Sequence, residues 1–292
     1  MSVGVALAVP LLRAEMRSRV RDWRSCGLLT GYLAVLCAVE AVFMLRDAGS
    51  ATDSALPTGV RLFDLLTLVQ FGLLFVLTPL VTAGAVSGER ERGTWDLLLT
   101  TPLSSFGIGC SKVAARVLFV LVTLVMGLPF VSVAFLYGDL SAGDVVPPYV
   151  VMVTAVILLS TATFAISLFV HRFAAALLWS VGAAAFFGFA LTFLVATTGG
   201  HGWRPYAVPE PGSPISLPAS AVISPVAALD SSLPATRIQP VVARTFTLSA
   251  RVHLWELYAL VSLLGSALVL TSSIHFVRLP RATIRGAPMA KR

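Results

Sequence analysis

The chain is short of charge, cysteine and histidine, and each shortage closes off a class of function. Only 12% of its 292 residues are charged, against about a quarter in a soluble domain. That leaves too little polar surface to cover a water-soluble globule. With 57% apolar residues and a mean hydropathy of +0.89, lipid must be the solvent for much of the chain. The 3 cysteines form no CxxC pair and no Cys/His cluster. Cys26 and Cys37 fall in or beside one apolar run and Cys110 lies near another, so neither a disulfide framework nor a zinc site is supported. The four histidines, His171, His201, His253 and His275, are scattered and make no HExxH. No GxSxG and no GxGD pair occurs, and Tyr137-Gly-Asp139 alone does not make an intramembrane aspartyl protease. Gly107-Ile-Gly-Cys-Ser-Lys112 looks superficially like a phosphate loop, but no Gly directly precedes the Lys, and Gly107-x-Gly109 does not complete a dinucleotide fingerprint. Met1–Leu12 is apolar with no basic residue before it and no clear cleavage site, so it is not read as a cleaved signal peptide.

What is present is a series of membrane-length apolar runs. Val5–Arg24 reads as an amphipathic helix, with Leu7, Leu11, Leu12, Met16, Val20 and Trp23 at helical spacing. Arg13, Arg17, Arg19, Arg21 and Arg24 lie largely elsewhere on it. Such a helix lies in the membrane interface and favours anionic lipid; a solvated basic tail is the alternative. Six spans follow, at about 27–45, 62–86, 113–137, 149–170, 173–197 and 252–277, each near the ~20 residues a hydrocarbon core requires. Pro79 is expected to kink the second, and Pro129 lies inside the third. The fifth is rich in Ala and Gly, which suits close helix packing. Its Phe186, Phe187, Phe189 and Phe193 suit a lipid-facing or core role better than a substrate cage. Residues 198–250 hold 8 of the 17 prolines, so they cannot form one long helix. Within them, Ala219–Asp230 is apolar enough for a short helix dipping to the surface. A short basic tail closes the chain.

Six spans put both termini on one side. That side carries 15 of the 21 Lys and Arg residues. The excess marks it as cytoplasmic, so the termini and the charged insert that starts at Glu89 are expected inside, and the 198–250 loop outside. The net charge of +7 is then a consequence of topology, not of nucleic-acid affinity.

The insert is Glu89-Arg-Glu-Arg-Gly-Thr-Trp-Asp-Leu-Leu-Leu-Thr-Thr-Pro-Leu103. Gly88 and Gly93 bracket its charges and let the chain turn as it leaves the second span. From Thr94, a capping residue, a short amphipathic helix is expected. Trp95, Leu98 and Leu99 share one face, Asp96 sits in the first turn where the helix dipole favours an acid, and Pro102 ends the segment. A two-turn helix at a membrane mouth lies in the headgroups, docks in a groove of a soluble protein, or covers its own span ends.

These residues, with Ser104 and with Lys112 about ten residues on, resemble the signature of ABC-2-type ABC transporter permeases, roughly Glu-x-x-x-Gly-Thr followed by Leu-Leu-x-(Ser/Thr)-Pro and a Lys. The layout is similar too: basic entry helix, six spans, insert between the second and third, and a large external segment before the last. The resemblance implies an all-α, polytopic permease, residues 1–292 forming one transmembrane domain, in the bacterial cytoplasmic (inner) membrane. It implies that the insert, 89–103, is a coupling helix contacting a separate ATPase. Glu89 and Glu91 would lead in, Gly93 and Thr94 would form the turn and cap, and Leu97 to Pro102 would be the docking helix, with Trp95, Leu98, Leu99 and Pro102 among the coupling residues. Ser224-Pro225 resembles a Ser-Pro element often seen before the last span.

The function implied is that of the transmembrane subunit of an ATP-driven exporter. It would couple hydrolysis by a partner ATPase to substrate movement, pairing with a second permease protomer and two ATPase copies. The chain itself would be no enzyme and bind no cofactor, with ATP and Mg on the ATPase. An alternative is a non-transporting membrane anchor or assembly subunit that recruits an ATPase. A secondary transporter would need paired broken helices and midplane charges, and neither is found. Glu40, Asp64 and Glu256, in or at the edge of spans, are candidate pathway or gate residues. They would pair with Arg61 and Arg251, or are interface charges reaching water. Gln70 is deeper, as a gate residue or as packing glue.

Overall fold

In the computed structural model, residues 13, 15–17, 22–49, 56–94, 105–190, 223–234, 245–248 and 250–285 are described. Five of the described helical stretches are long and apolar enough to cross a membrane: Ser25–Asp47, Thr58–Ala85, Gly107–Leu136, Ala142–Phe169 and Trp255–His275. The helices that contain them are α1 (Trp23–Gly49) and α2 (Thr58–Thr82), then α4 (Ser105–Met126) with α5 (Leu128–Leu136), then α6 (Ala142–Phe169), and last α9 (Leu254–Arg285). Between α2 and α4 lies a short helix α3 (Ser87–Glu91). After α6 comes α7 (Phe173–Ala185), and before α9 come α8 (Pro225–Ser232) and a hairpin of β1 (Thr245–Leu248) and β2 (Ala250–His253).

Several sequence boundaries move, each for a local reason. The fourth span, expected from 149, starts at 142. Ser141 caps it, with the Asp144 carboxylate accepting from the Ser141 N–H (3.0 Å) and Oγ (2.7 Å). This capping box nucleates the helix ahead of Pro147 and Pro148, whose fixed φ is already helical. The third span breaks at Gly127. The break places Pro129 in the first turn of α5, where a missing N–H costs nothing. Pro79 is carried within α2, which tightens into a 3₁₀ turn at Ala83–Ala85. The fifth span is described only to residue 190, as α7 followed by a π-helical turn at Phe186–Ala190. It is a shorter apolar helix than the five above. The last span begins at 254 because β2 takes residues 250–253, pairing antiparallel with β1, Phe246 opposite Val252. The bundle is thus all-helical, with one two-stranded hairpin beside it. Most of the expected 5–24 helix lies outside the described residues; those described at 13 and 15–17 are helical.

Helix α6 is the centre of the bundle, packing against α2, α4, α7, α8 and α9. One apolar cluster joins Phe71, Leu74 and Leu77 of α2 to Phe119 and Leu124 of α4, Met152 of α6 and Tyr258 of α9. Helix α8 closes the end of the bundle away from α3. Its Ala228 and Leu229 enter that cluster, and Leu233 enters a second one with Tyr32, Leu36 and Phe63. Ser224 starts α8 as a genuine cap, its Oγ accepting from Ala227 N–H at 3.3 Å, with Pro225 next.

One polar knot ties four crossings together at mid-depth. Gln70 of α2, 1% exposed, donates to Tyr32 Oη of α1 (2.7 Å) and to the Leu124 carbonyl of α4 (3.2 Å). It accepts from Tyr149 Oη of α6 at 3.0 Å. The Leu124 carbonyl belongs to the last turn before the Gly127 break, so Gln70 serves an acceptor beside the interrupted ladder. A Cβ at Gly127 would collide with the Gln70 amide and lie 2.6 Å from Tyr32 Oη. Gly127 is therefore required by this knot.

Gln70→Ala should cost about 2 kcal/mol or more, because three buried groups lose a partner. Gly127→Ala should cost about 1–3 kcal/mol through overpacking. The double variant should lose clearly less than the sum, since the intruding methyl then occupies the vacated space. Thermal unfolding of the purified protein in detergent reads all three. Ser224→Ala should cost about 1 kcal/mol by the same measurement, through the lost cap.

Candidate functional site

The charged insert leaves α2 through a built corner. Ser167 of α6 accepts through Oγ from the N–H groups of both Val86 and Ser87, each at 3.0 Å, and Ser87 Oγ donates to Ala83 O at 2.8 Å. Two backbone donors freed by the 3₁₀ turn are thus satisfied at a buried position. The charges Glu89–Glu91, expected to lie between turns at Gly88 and Gly93, form the end of helix α3 with Arg92 as its C-cap, and Gly88 is inside the helix. The turn sits at Gly93, whose φ is +68°. Gly93 N–H bonds Arg90 O and Thr94 N–H bonds Glu89 O, both at 3.0 Å. This is a Schellman closure, and it needs a residue that tolerates left-handed backbone. Thr94 Oγ1 adds a bond to Glu89 O at 3.3 Å.

Helix α3 is strapped to the bundle on both sides. Arg90 donates to Leu168 O at 2.7 Å, at the end of α6. The Glu91 carboxylate accepts from Phe173 N–H at 2.8 Å, in the first turn of α7. Arg172, the N-cap residue of α7, offers no side-chain cap, and an arginine has no acceptor to give. Glu91 supplies from another segment the oxygen and the negative charge that a helix start requires.

The other strap is ionic. Glu89 pairs with Lys112 of α4. Lys112 also binds Glu15 Oε1 at 3.1 Å, and Glu15 Oε2 binds Arg116 at 2.8 Å. The Lys112 side chain is 1% exposed and that of Arg116 6%. An ammonium so buried is tolerated only with its charge compensated. Two carboxylates and two cations meet that condition, and they join three segments far apart in sequence.

The expected site residues divide into three groups. Glu89, Glu91, Gly93 and Thr94 stand together in the corner just described. Trp95, Leu98, Leu99 and Pro102 lie outside the described residues. Glu40, Asp64, Gln70 and Glu256 lie on α1, α2 and α9, outside the corner. Glu40 is partly exposed on α1, and Glu256 opens α9 in its acid-favouring first turn. Asp64 is half-buried on α2. Arg61, a suggested partner for these acids, pairs with Asp47 instead, and Gln70 holds the knot. Residues not singled out by pattern are Glu15, Ser167, Arg116 and the Phe173 amide. Lys112 was visible only as part of a family motif. Glu15 is one of only two acids, with Asp22, among the arginines of the entry segment, and that is the one signal that could have pointed toward it.

Comparison with known proteins gives one result and one blank. The profile described as ABC-2 family transporter protein matches residues 9–200, which includes α1–α7 and the whole corner. The matched range stops before Ser224-Pro225 and α9. No curated protein matches the chain. Membrane subunits of this family generally work with an ABC ATPase and dimerise. A profile that spans most of the chain, on a bundle of five membrane-length helices, settles the class: this is a multi-pass membrane protein that belongs to the ABC-2 transporter family, as a permease-type subunit.

Proposed function

We propose that the chain is the transmembrane subunit of an ATP-driven exporter, and that 89–103 receives a separate ATPase. The observation that carries this reading is the double strap on α3. A segment that merely linked two spans would need no ion pair to α4 and no carboxylate capping α7. Both are required if a push on the insert is to move helices rather than bend a loop. Movement of α3 would be delivered to α4 through Lys112 and to α6 and α7 through Ser167, Leu168 and Phe173. That is a two-state rearrangement biased by a remote ligand.

In this reading α7 and the residues after it complete a sixth crossing, both termini are cytoplasmic, and the protein sits in a bacterial inner membrane. Two permease protomers work with two ATPase copies, and ATP and Mg bind only to the ATPase. Glu40, Asp64 and Glu256 remain proposed pathway or gate residues, with Gln70 a gate through its hold on four helices. A non-transporting anchor would use the same corner. The two differ in whether substrate crosses reconstituted vesicles when ATP is supplied.

Leu98→Asp should abolish co-purification of the co-expressed ATPase, and Glu91→Ala should weaken it severalfold, with the chain still folded. Undiminished recovery with both changes would overturn the docking role. Lys112→Met strands two carboxylates and should cost about 3–5 kcal/mol, while Lys112→Arg should keep most of the stability. Thermal unfolding in detergent separates the two.

A further inference from the structure

Helices α2 and α3 are one helical rod with a fault in it. The rod is α-helical from Thr58 to Thr82, a 3₁₀ turn over Ala83–Ala85, and α-helical again over Ser87–Glu91. Val86, between the last two, stands at φ −121° and ψ −46°, off the helical values. In an unbroken α-helix the Val86 N–H would bond Thr82 O and the Ser87 N–H would bond Ala83 O, each four residues back. Here both donate to Ser167 Oγ of α6, at 3.0 Å each. One hydroxyl oxygen, with its two lone pairs, stands in for two intrahelical acceptors. The α2–α6 seam just above the fault also holds unused hydrogen-bonding capacity. The Gln70–Tyr149 and Ser87–Ser167 bonds join residues 79 and 80 apart, so the two helices run parallel in nearly constant register. By the same offset Thr82 falls between Ser160 and Thr163. All three are buried, and none of their hydroxyls has a partner. Buried hydroxyls beside them do: Thr78 donates to Leu74 O at 2.6 Å and Ser87 to Ala83 O at 2.8 Å. A stranded buried hydroxyl is costly, and a small shift of the seam would recover that cost.

We propose that the fault is a conformational switch. Ala83–Val86 exchanges between the 3₁₀ form, with Ser167 as acceptor, and a continuous α-helix, in which Thr82 O and Ala83 O take back the two N–H groups. Neither backbone donor goes unpaired in either form, which keeps the two close in free energy. A 3₁₀ helix turns about 120° and rises about 2.0 Å per residue, an α-helix about 100° and about 1.5 Å. Each residue converted therefore rotates α3 by about 20° and draws it about 0.5 Å toward α2. In the straightened form Ser167 is released, and the Thr82, Ser160 and Thr163 hydroxyls pair across the shifted seam. Gly84 keeps the rotation sterically open. It presents bare backbone to the Phe173 ring, which lies 3.2 Å from where a Cβ would stand, so no side chain has to pass. Glu89, Arg90 and Glu91 are long enough to keep their bonds as α3 turns, and they hand the movement to α4, α6 and α7. The switch itself follows from the backbone geometry; that a partner's ATP throws it rests on the function proposed above.

The test uses the full chain with its three cysteines replaced by Ala, reconstituted in lipid vesicles with its co-expressed ABC ATPase. Nitroxide labels go on Arg92→Cys and Trp23→Cys, both exposed, and double electron–electron resonance reads the distance from the end of α3 to the start of α1. One distance should dominate without nucleotide, and a second should grow when ATP is trapped with vanadate. Ser167→Ala takes the acceptor from the 3₁₀ form alone. Without nucleotide it should raise the ratio of second to first population about tenfold or more, as two lost hydrogen bonds imply. Thr82→Val acts the other way, since it removes a group stranded in the first form and paired in the second. It should cut the second population under ATP about three- to tenfold, with no fall in the unfolding midpoint in detergent. An unchanged distance distribution in Ser167→Ala would overturn the switch and leave the docking role of the insert standing. So would a Thr82→Val chain whose populations do not move, and that variant decides the matter should Ser167→Ala fail to fold. A shift in Ser167→Ala beside an unsubstituted chain that ignores nucleotide would keep the switch and sink the ATP-driven reading.

Discussion

A lysine ammonium buried at the rim of an apolar bundle governs the layout of this protein. Lys112 is 1% exposed, and its neighbours Ile108, Val113 and Ala115 are buried too. Removing such a cation from water is costly by several kcal/mol unless opposite charge is brought to it. The chain brings it twice, from Glu89 at the end of α3 and from Glu15 in the entry segment. Arg116, one turn along α4, takes the second oxygen of Glu15. The pairing is therefore directional. It fixes which way the insert leaves α2 and where the entry segment lies, and neither is set by apolar packing alone.

The rest of the bundle follows the same economy. Between helices surrounded by lipid, apolar contact gives little preference for one packing over another, because lipid tails are equally apolar. Specificity comes from the few polar groups and the close approaches. Gln70 joins four helices with three hydrogen bonds, and Gly127 leaves room for it. Ser167 joins the 3₁₀ corner to α6. Asp47 and Arg61 clasp α1 to α2 at the far end, with Arg61 also lying over the Phe43 ring. Each of these is a point that a register slip would break.

Much of this was legible in the sequence, and the part that was not has a common cause. Five crossings of the six expected could be read because span length is a one-dimensional requirement set by the bilayer. The Gly93 turn could be read because left-handed turns are local chemistry, whereas the short helix expected over Ala219–Asp230 is Pro225–Ser232, started by the Ser224 cap. Ser141 with Asp144 was equally local but was outweighed by Pro147 and Pro148, which read as loop because each removes a helical N–H, although the helix carries both in its second turn. The functional corner was half legible. Its acids stood out as charges in apolar surroundings, but the partners of those acids lie 23 residues away for Glu89 and 82 for Glu91. Glu15 and Lys112 are 97 apart. No periodicity encodes such pairs; they exist only once α4, α6 and α7 are packed.

The distribution of stiffness bears on how work could enter such a bundle. A force applied to an unsupported loop is dissipated in backbone torsions, each of which is soft. Helix α3 offers few soft torsions. Its start is bonded to Ser167, its middle to Leu168, its two acids to Lys112 and Phe173, and its end is closed at Gly93. Displacement of α3 must therefore either carry α4, α6 and α7 with it or uncover the charge on Lys112. The second course is the costlier, since it leaves a buried ion unmatched. Concerted movement of three helices is thus the lower-energy response to a push at this corner, and α6, which touches nearly every other helix, spreads it through the molecule.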